Sequence, residues 1–168
     1  MTMRPAFRDF ALTAHVTSPV GFLGAVAGFL ALAIAGLASQ DTQLARAAYV
    51  ANGLTARFVI APLCFASLLT GLVMSLGTRW GLFRHYWVLV KLLLTVLTTL
   101  VLMNQMAPIN HIAAVAAEAP LSAADFGALR SSLVVHAGSG LLVLIVTTTL
   151  SVYKPPGMTR YGWRKRAR

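Results

Sequence analysis

Acidic side chains are nearly missing from this sequence: Asp9, Asp41, Glu118 and Asp125 are the only four in 168 residues. None falls within a long apolar run, so a proton or cation carrier built on membrane-embedded carboxylates has little to work with. Cysteine is almost as scarce. The single Cys64 excludes an internal disulfide framework and a cysteine-based zinc or iron–sulfur site within one chain. Charge as a whole is thin, at 11% of residues, less than half of the roughly 25% usual in a soluble domain. No Walker loop, no GxSxG elbow and no HExxH motif occurs.

Apolar sequence is what the chain has in abundance, at 58%. A bilayer-spanning helix needs about 20 mostly apolar residues. Four stretches qualify, at about Ala11–Leu37, Phe58–Leu76, Tyr86–Ala107 and Ser131–Tyr153. Runs of this length without strict alternation predict helices, because lipid offers no partner to an open strand edge. The first run is longer than the 7–15 residues or so of a signal-peptide core, so a retained helix is expected. The predicted fold is an all-α membrane protein, four transmembrane helices in an up-down bundle forming one domain, 1–168. The localisation to expect is multi-pass in a bacterial inner membrane.

The formal charge of +10 invites a nucleic-acid reading until the cations are placed, when most of them flank apolar runs. Arg4, Arg8, Arg79, Arg84, Lys154, Arg160, Arg164, Lys165, Arg166 and Arg168 fall on one side; Arg46, Arg57 and Arg130 fall on the other. The positive-inside rule then makes both termini cytoplasmic. The tail 154–168 starts with KPPG, which ends the last helix. It is read as a topology anchor on anionic lipid or a partner site, with nothing of its own to bury.

The loops 38–57 and 108–130 are alanine-rich and predict short helices along the interface; in the second, Ser122 is expected as an N-cap with Asp125 three residues on. Small residues predict the packing faces. Gly21, Gly24, Ala25, Gly28, Ala31 and Ala35 mark the first span. Cys64, Ser67, Gly71 and Ser75 mark the second, and Ser132, His136, Gly140, Thr147 and Ser151 the fourth.

Histidines are the candidate chemistry. His15 lies about 6 Å into the first span and His136 about 7 Å into the fourth, at 1.5 Å per residue. His85 sits at the start of the third span and His111 just beyond its end. Each face of the membrane thus holds two histidines on different helices. Paired neutral imidazoles hold haem b, and the propionates would need cations such as Arg79, Arg84 and Lys91. The plainer readings stand beside it. His15 and His136 pack, His85 joins an aromatic belt with Trp80, Tyr86 and Trp87, Lys91 snorkels, and His111 is a solvated loop residue. A copper reading draws on Met103, Met106 and His111, since thioether and imidazole suit Cu(I).

The stretch PLCFASLLTGLVMSLGTRWGLFRHYWVLVKLLLTVLTTLVLM, with LTAHV in the first span and VVHAGSG in the fourth, resembles a bacterial family of small four-span integral membrane proteins without an assigned activity. More loosely it is similar to the CopD-like membrane group, which includes copper-handling proteins and a haem-binding protoporphyrinogen oxidase. The resemblance implies a haem or copper theme and assigns no catalytic residue. Three functions are expected to compete: a b-type haem-binding redox or accessory subunit; a non-catalytic membrane subunit whose histidines only pack, with no cofactor; and copper binding or transfer. The partners to expect are the bilayer, other membrane subunits or further copies of the chain.

Overall fold

The computed structural model describes residues 4–77, 82–118 and 126–166, with only the backbone of Lys165 and Arg166. Arg79 and Trp80, and the helix start expected at Ser122 and Asp125, lie outside the described residues. Six α-helices follow in order: α1 (Pro5–Ala38), α2 (Thr42–Thr55), α3 (Ala61–Gly77), α4 (Tyr86–Glu118), α5 (Gly127–Tyr153) and α6 (Arg160–Arg166). Among the described residues there is no strand, only an isolated bridge between His85 and Met158.

Four helices are long and apolar enough to cross a membrane: Pro5–Ala38, Thr42–Gly77, Tyr86–Glu118 and Gly127–Tyr153. The second and third differ from the sequence expectation. Residues 42–55 do not lie apart as an interfacial helix. They run without a break into α3 through a π-helical turn, Ala56–Ile60, closed by Ala61 N–H on the Ala56 carbonyl. The third span continues past Ala107 and through Pro108 to Glu118, so His111 belongs to a helix and not to a loop. Alanine-rich sequence costs a helix little, so polarity there marks a change of surroundings and not a break.

Length shows what the extensions do. The Thr42–Gly77 rod has 36 residues, about 54 Å at 1.5 Å per residue, against a hydrocarbon core of about 30 Å. Its polar end, α2, is capped by Asp41 Oδ1 accepting from Gln43 N at 2.8 Å. α2 packs on α1 and on α4. The tightest core sits here: Tyr49, Ala56, Ile112, Ala116 and Asn52 are wholly buried. With its amide turned to match donors to acceptors, Asn52 donates to Phe29 O at 3.3 Å and accepts from Ala33 N at 3.2 Å. Lower down the exterior is apolar: Leu93, Phe10, Val152 and Val135 are all strongly exposed, as lipid contact requires and water would penalise.

Packing follows the small residues in part. Cys64 and Ser67 are buried, and Cys64 Sγ lies 3.3 Å from Thr99 Oγ1 on α4. The Thr99 hydroxyl donates to Thr95 O, so the thiol is the donor between α3 and α4. Gly21 packs on Leu63, but a side chain on Gly24 or Gly28 would meet nothing within 4 Å. Half of the first span's small stripe therefore faces outward, correcting the expectation that it lines the bundle. α1 instead presents Phe22, Val26, Phe29 and Ala33 to the core, since large side chains fill the space between helices that do not touch backbone to backbone.

The basic tail also packs, contrary to expectation. Thr159 N donates to Arg84 O at 3.0 Å and Tyr86 N to Gly157 O at 3.3 Å, while Thr159 Oγ1 donates to Phe83 O. Backbone bonding, not an apolar stripe, pins 157–159 to the turn before α4. A side chain on Gly162 would run into the Arg84 carbonyl at 2.5 Å.

A Cβ on Gly53 would lie 2.5 Å from the Ala113 methyl. Gly53→Ala is expected to force α2 off α4 and cost about 1–3 kcal/mol. Gly24→Ala should be neutral within about 0.5 kcal/mol. Thermal unfolding midpoints of the two variants in one detergent check the contrast.

Candidate functional site

Three places gather polar side chains that could form a site. At the first, the end of α1 meets the start of α5. Arg130 on α5 is 2% exposed. Its Nε donates to Tyr49 Oη at 2.9 Å and an Nη donates to the Gly36 carbonyl. Its guanidinium lies 5.3 Å from the Tyr49 ring centroid. A side chain on Gly36 would strike that ring at 3.0 Å, so a glycine is needed for the close approach. Sequence reading counted Arg130 among the loop cations; the structure makes it a clasp joining α1, α2 and α5. Its only signal was its position at the head of an apolar run. Arg46 adds a bond to the Ala117 carbonyl, tying α2 to the end of α4.

At the opposite end stand His15, Lys91 and His85. His15 Nδ1 lies 3.1 Å from Thr70 Oγ1 on α3. The Thr70 hydroxyl donates to Ala66 O at 2.6 Å, so the histidine is the donor and its Nδ1 carries the proton. The ring also lies across Gly71, where a Cβ would be 3.0 Å from Cε1. Pro19 lacks an N–H, so the His15 carbonyl loses its helical partner. Lys91 Nζ donates to Ser151 Oγ on α5 at 2.6 Å; it turns inward instead of snorkelling. His85 and Lys154 line a shallow groove with Trp87 and Trp163. Arg84 is bound up with the docked tail through its backbone.

The third place is a slot between α1, the π-turn, α4 and α5. Phe22, Phe29, Ala56 and Ile60 form one side. Gln105 and Thr98 on α4 and His136 and Gly140 on α5 complete it. No charged side chain lines it. It encloses about 80 Å³, which bounds what fits without movement. Val101 lines the slot and is 39% exposed, so the mouth opens on the outer surface beside α4.

His136 is oriented for use. Its Nδ1 lies 2.8 Å from the Ser132 carbonyl and 3.1 Å from Ser132 Oγ. A carbonyl only accepts, so Nδ1 carries the proton and Nε2 keeps its lone pair. Among the described residues Nε2 has no hydrogen-bond partner, and neither has the Gln105 amide. Two of the four elements around the slot are irregular beside it. The π-turn supplies Ala56 and Ile60, and Pro108 deprives the Asn104 carbonyl of its helical donor.

The structure does not gather the four histidines. His15 is bonded to α3, His136 faces the slot, and His111 is exposed on α4 with its ring 5.6 Å from that of Phe126. The copper trio spreads too. Met106 packs against the core, whereas Met103 and His111 are exposed on the same helix, because five residues from Met106 to His111 turn the helix by about 140°. No group of three or more His, Cys, Asp or Glu converges among the described residues. No family model, curated protein or solved structure matches the chain.

His15→Ala should remove the Thr70 bond and leave a void over Gly71, costing about 1–3 kcal/mol. His111→Ala should stay within about 0.5 kcal/mol. Unfolding midpoints in detergent measure both; equal losses would show that His111 packs as His15 does.

Proposed function

We propose that this chain is a multi-pass accessory subunit of a bacterial plasma membrane whose working site is the slot at His136. Its four spans run up and down with both termini in the cytoplasm. The ten-to-three bias of basic residues supports the cytoplasmic side, and the contact of the end of α1 with the start of α5 supports the up-and-down arrangement. One observation carries the site. His136 lines an apolar slot with its Nδ1 held on a carbonyl, and among the described residues its Nε2 has no hydrogen-bond partner. A histidine that only packs has no reason to present a bare nitrogen to a cavity.

The same tautomer favours a second reading, a b-type haem with His136 as axial ligand, because the Ser132 carbonyl would orient the imidazole from its second nitrogen. When bound, haem would supply one-electron redox chemistry. The closed slot does not fit it. Its centre of about 80 Å³ is far below the ~300 Å³ at which sites for drug-sized ligands begin, and no second histidine faces His136. A porphyrin would require α4 to part from α1 and α5.

An absorbance spectrum of the purified protein decides between the two. The slot reading expects no Soret band; a band that shifts on reduction and disappears in His136→Ala would install haem instead. Topology is checked separately. Cys64 is buried, so a Gln40→Cys variant should be labelled in intact cells by a membrane-impermeant maleimide, while a reporter fused after Arg168 reports cytoplasmic activity. The reverse pattern would invert the orientation.

A further inference from the structure

We infer that the His136 slot binds an uncharged, lipid-soluble ring carrying hydroxyl groups, of the hydroquinone or phenol class. This rests on the slot being a ligand site, and it names the ligand from the slot's own chemistry. Three features narrow the class.

The first is charge. No ionic side chain lines the slot, so an anion or cation would enter without a counter-ion at a depth where an unpaired charge is expensive. The second is hydrogen bonding. Nε2 of His136 offers a lone pair, because Nδ1–H is committed to Ser132 O; it calls for a ligand that donates. Gln105, on the facing helix, both donates and accepts. The Thr98 hydroxyl spends its proton on Leu94 O at 2.8 Å, and so can only accept. An alkyl chain in the slot would leave His136 and Gln105 unpaired, and a quinone carbonyl would meet the Nε2 lone pair with another. A ring with hydroxyls on opposite sides reaches α5 with one and α4 with the other.

Shape and access are the third feature. Phe22 and Phe29 line the slot on the α1 side, and aromatic pairs gain from offset or edge contact. Gly140 contributes no side chain, and a Cβ added there would meet nothing within 4 Å. A single benzene ring occupies an engineered cavity of about 150 Å³, about twice the 80 Å³ of the slot, so a ring enters only as side chains at the mouth move aside. The mouth beside exposed Val101 admits a ligand sideways from the bilayer.

The full-length protein in lipid nanodiscs tests this with three probes: duroquinol, durene (the same methylated ring without hydroxyls) and haemin. Duroquinol should bind saturably and at least about tenfold more tightly than durene, the worth of one or two satisfied buried hydrogen bonds. Gln105→Leu, which keeps volume and fold, should reduce that preference several-fold. Gly140→Leu should fill the slot and abolish binding of both rings, while His15→Ala leaves binding unchanged. Equal binding of duroquinol and durene, both blocked by Gly140→Leu, would overturn hydroxyl recognition and leave the slot reading standing. Binding of neither ring, or binding untouched by Gly140→Leu and Gln105→Leu alike, would overturn both. Haemin binding with a Soret shift lost in His136→Ala would overturn the ring assignment in favour of haem.

Discussion

Arg130 is the interaction on which the geometry of the bundle turns. A guanidinium cannot shed its charge, so burying it obliges the surroundings to supply acceptors. Tyr49 and the Gly36 carbonyl do so from two other helices. That requirement sets the approach of α1, α2 and α5 at one end of the molecule. Gly36 has no side chain because the Tyr49 ring must pass there. Asn52, one helical turn further along α2, repeats the pattern on a smaller scale by bonding the α1 backbone. Such a cluster loses more if one partner is removed than each bond is worth alone, since a buried charge would be stranded.

From this end the bundle opens out. Side chains within lipid gain nothing from burial against one another in place of acyl chains, so helices there are held by packing and a few hydrogen bonds. Cys64–Thr99, His15–Thr70 and Lys91–Ser151 are those bonds, each joining a different pair of helices. The firm core, Tyr49, Ile112 and Ala116, sits at the α2 end, on a rod longer than a hydrocarbon core of about 30 Å requires. The His136 slot lies just below that core. Phe22, Phe29 and two residues of the π-turn, Ala56 and Ile60, line it, and such a turn is a distortion that often marks a site.

At the other end the tail changes the character of the basic surface. Docked by backbone bonds to 83–86, residues 157–159 bring Lys154 and Trp163 beside His85 and Trp87. Trp163, from the far end of the chain, thus shares a groove with Trp87 and His85.

Composition alone determined the class and the count. Lipid cannot satisfy a backbone N–H, so four long apolar runs had to become four long helices, and the starts of the third and the end of the fourth, Tyr86 and Tyr153, were legible to the residue. The second helix was misread because polarity at 42–57 marks where a helix leaves hydrocarbon, and a helix can leave it without ending. Likewise the histidines could be placed by depth but not by partner. Depth follows from counting residues at a fixed rise. Which way a ring points depends on rotation about the helix axis, and that is settled by contacts far apart in sequence: Thr70 for His15, the slot for His136, open surface for His111. Gly24 and Gly28 show the same limit, since a small stripe says that helices can approach there and not that they do. Arg130 was read as a topology charge because its partners, Gly36 and Tyr49, lie 94 and 81 residues away, and only tertiary structure brings them to it.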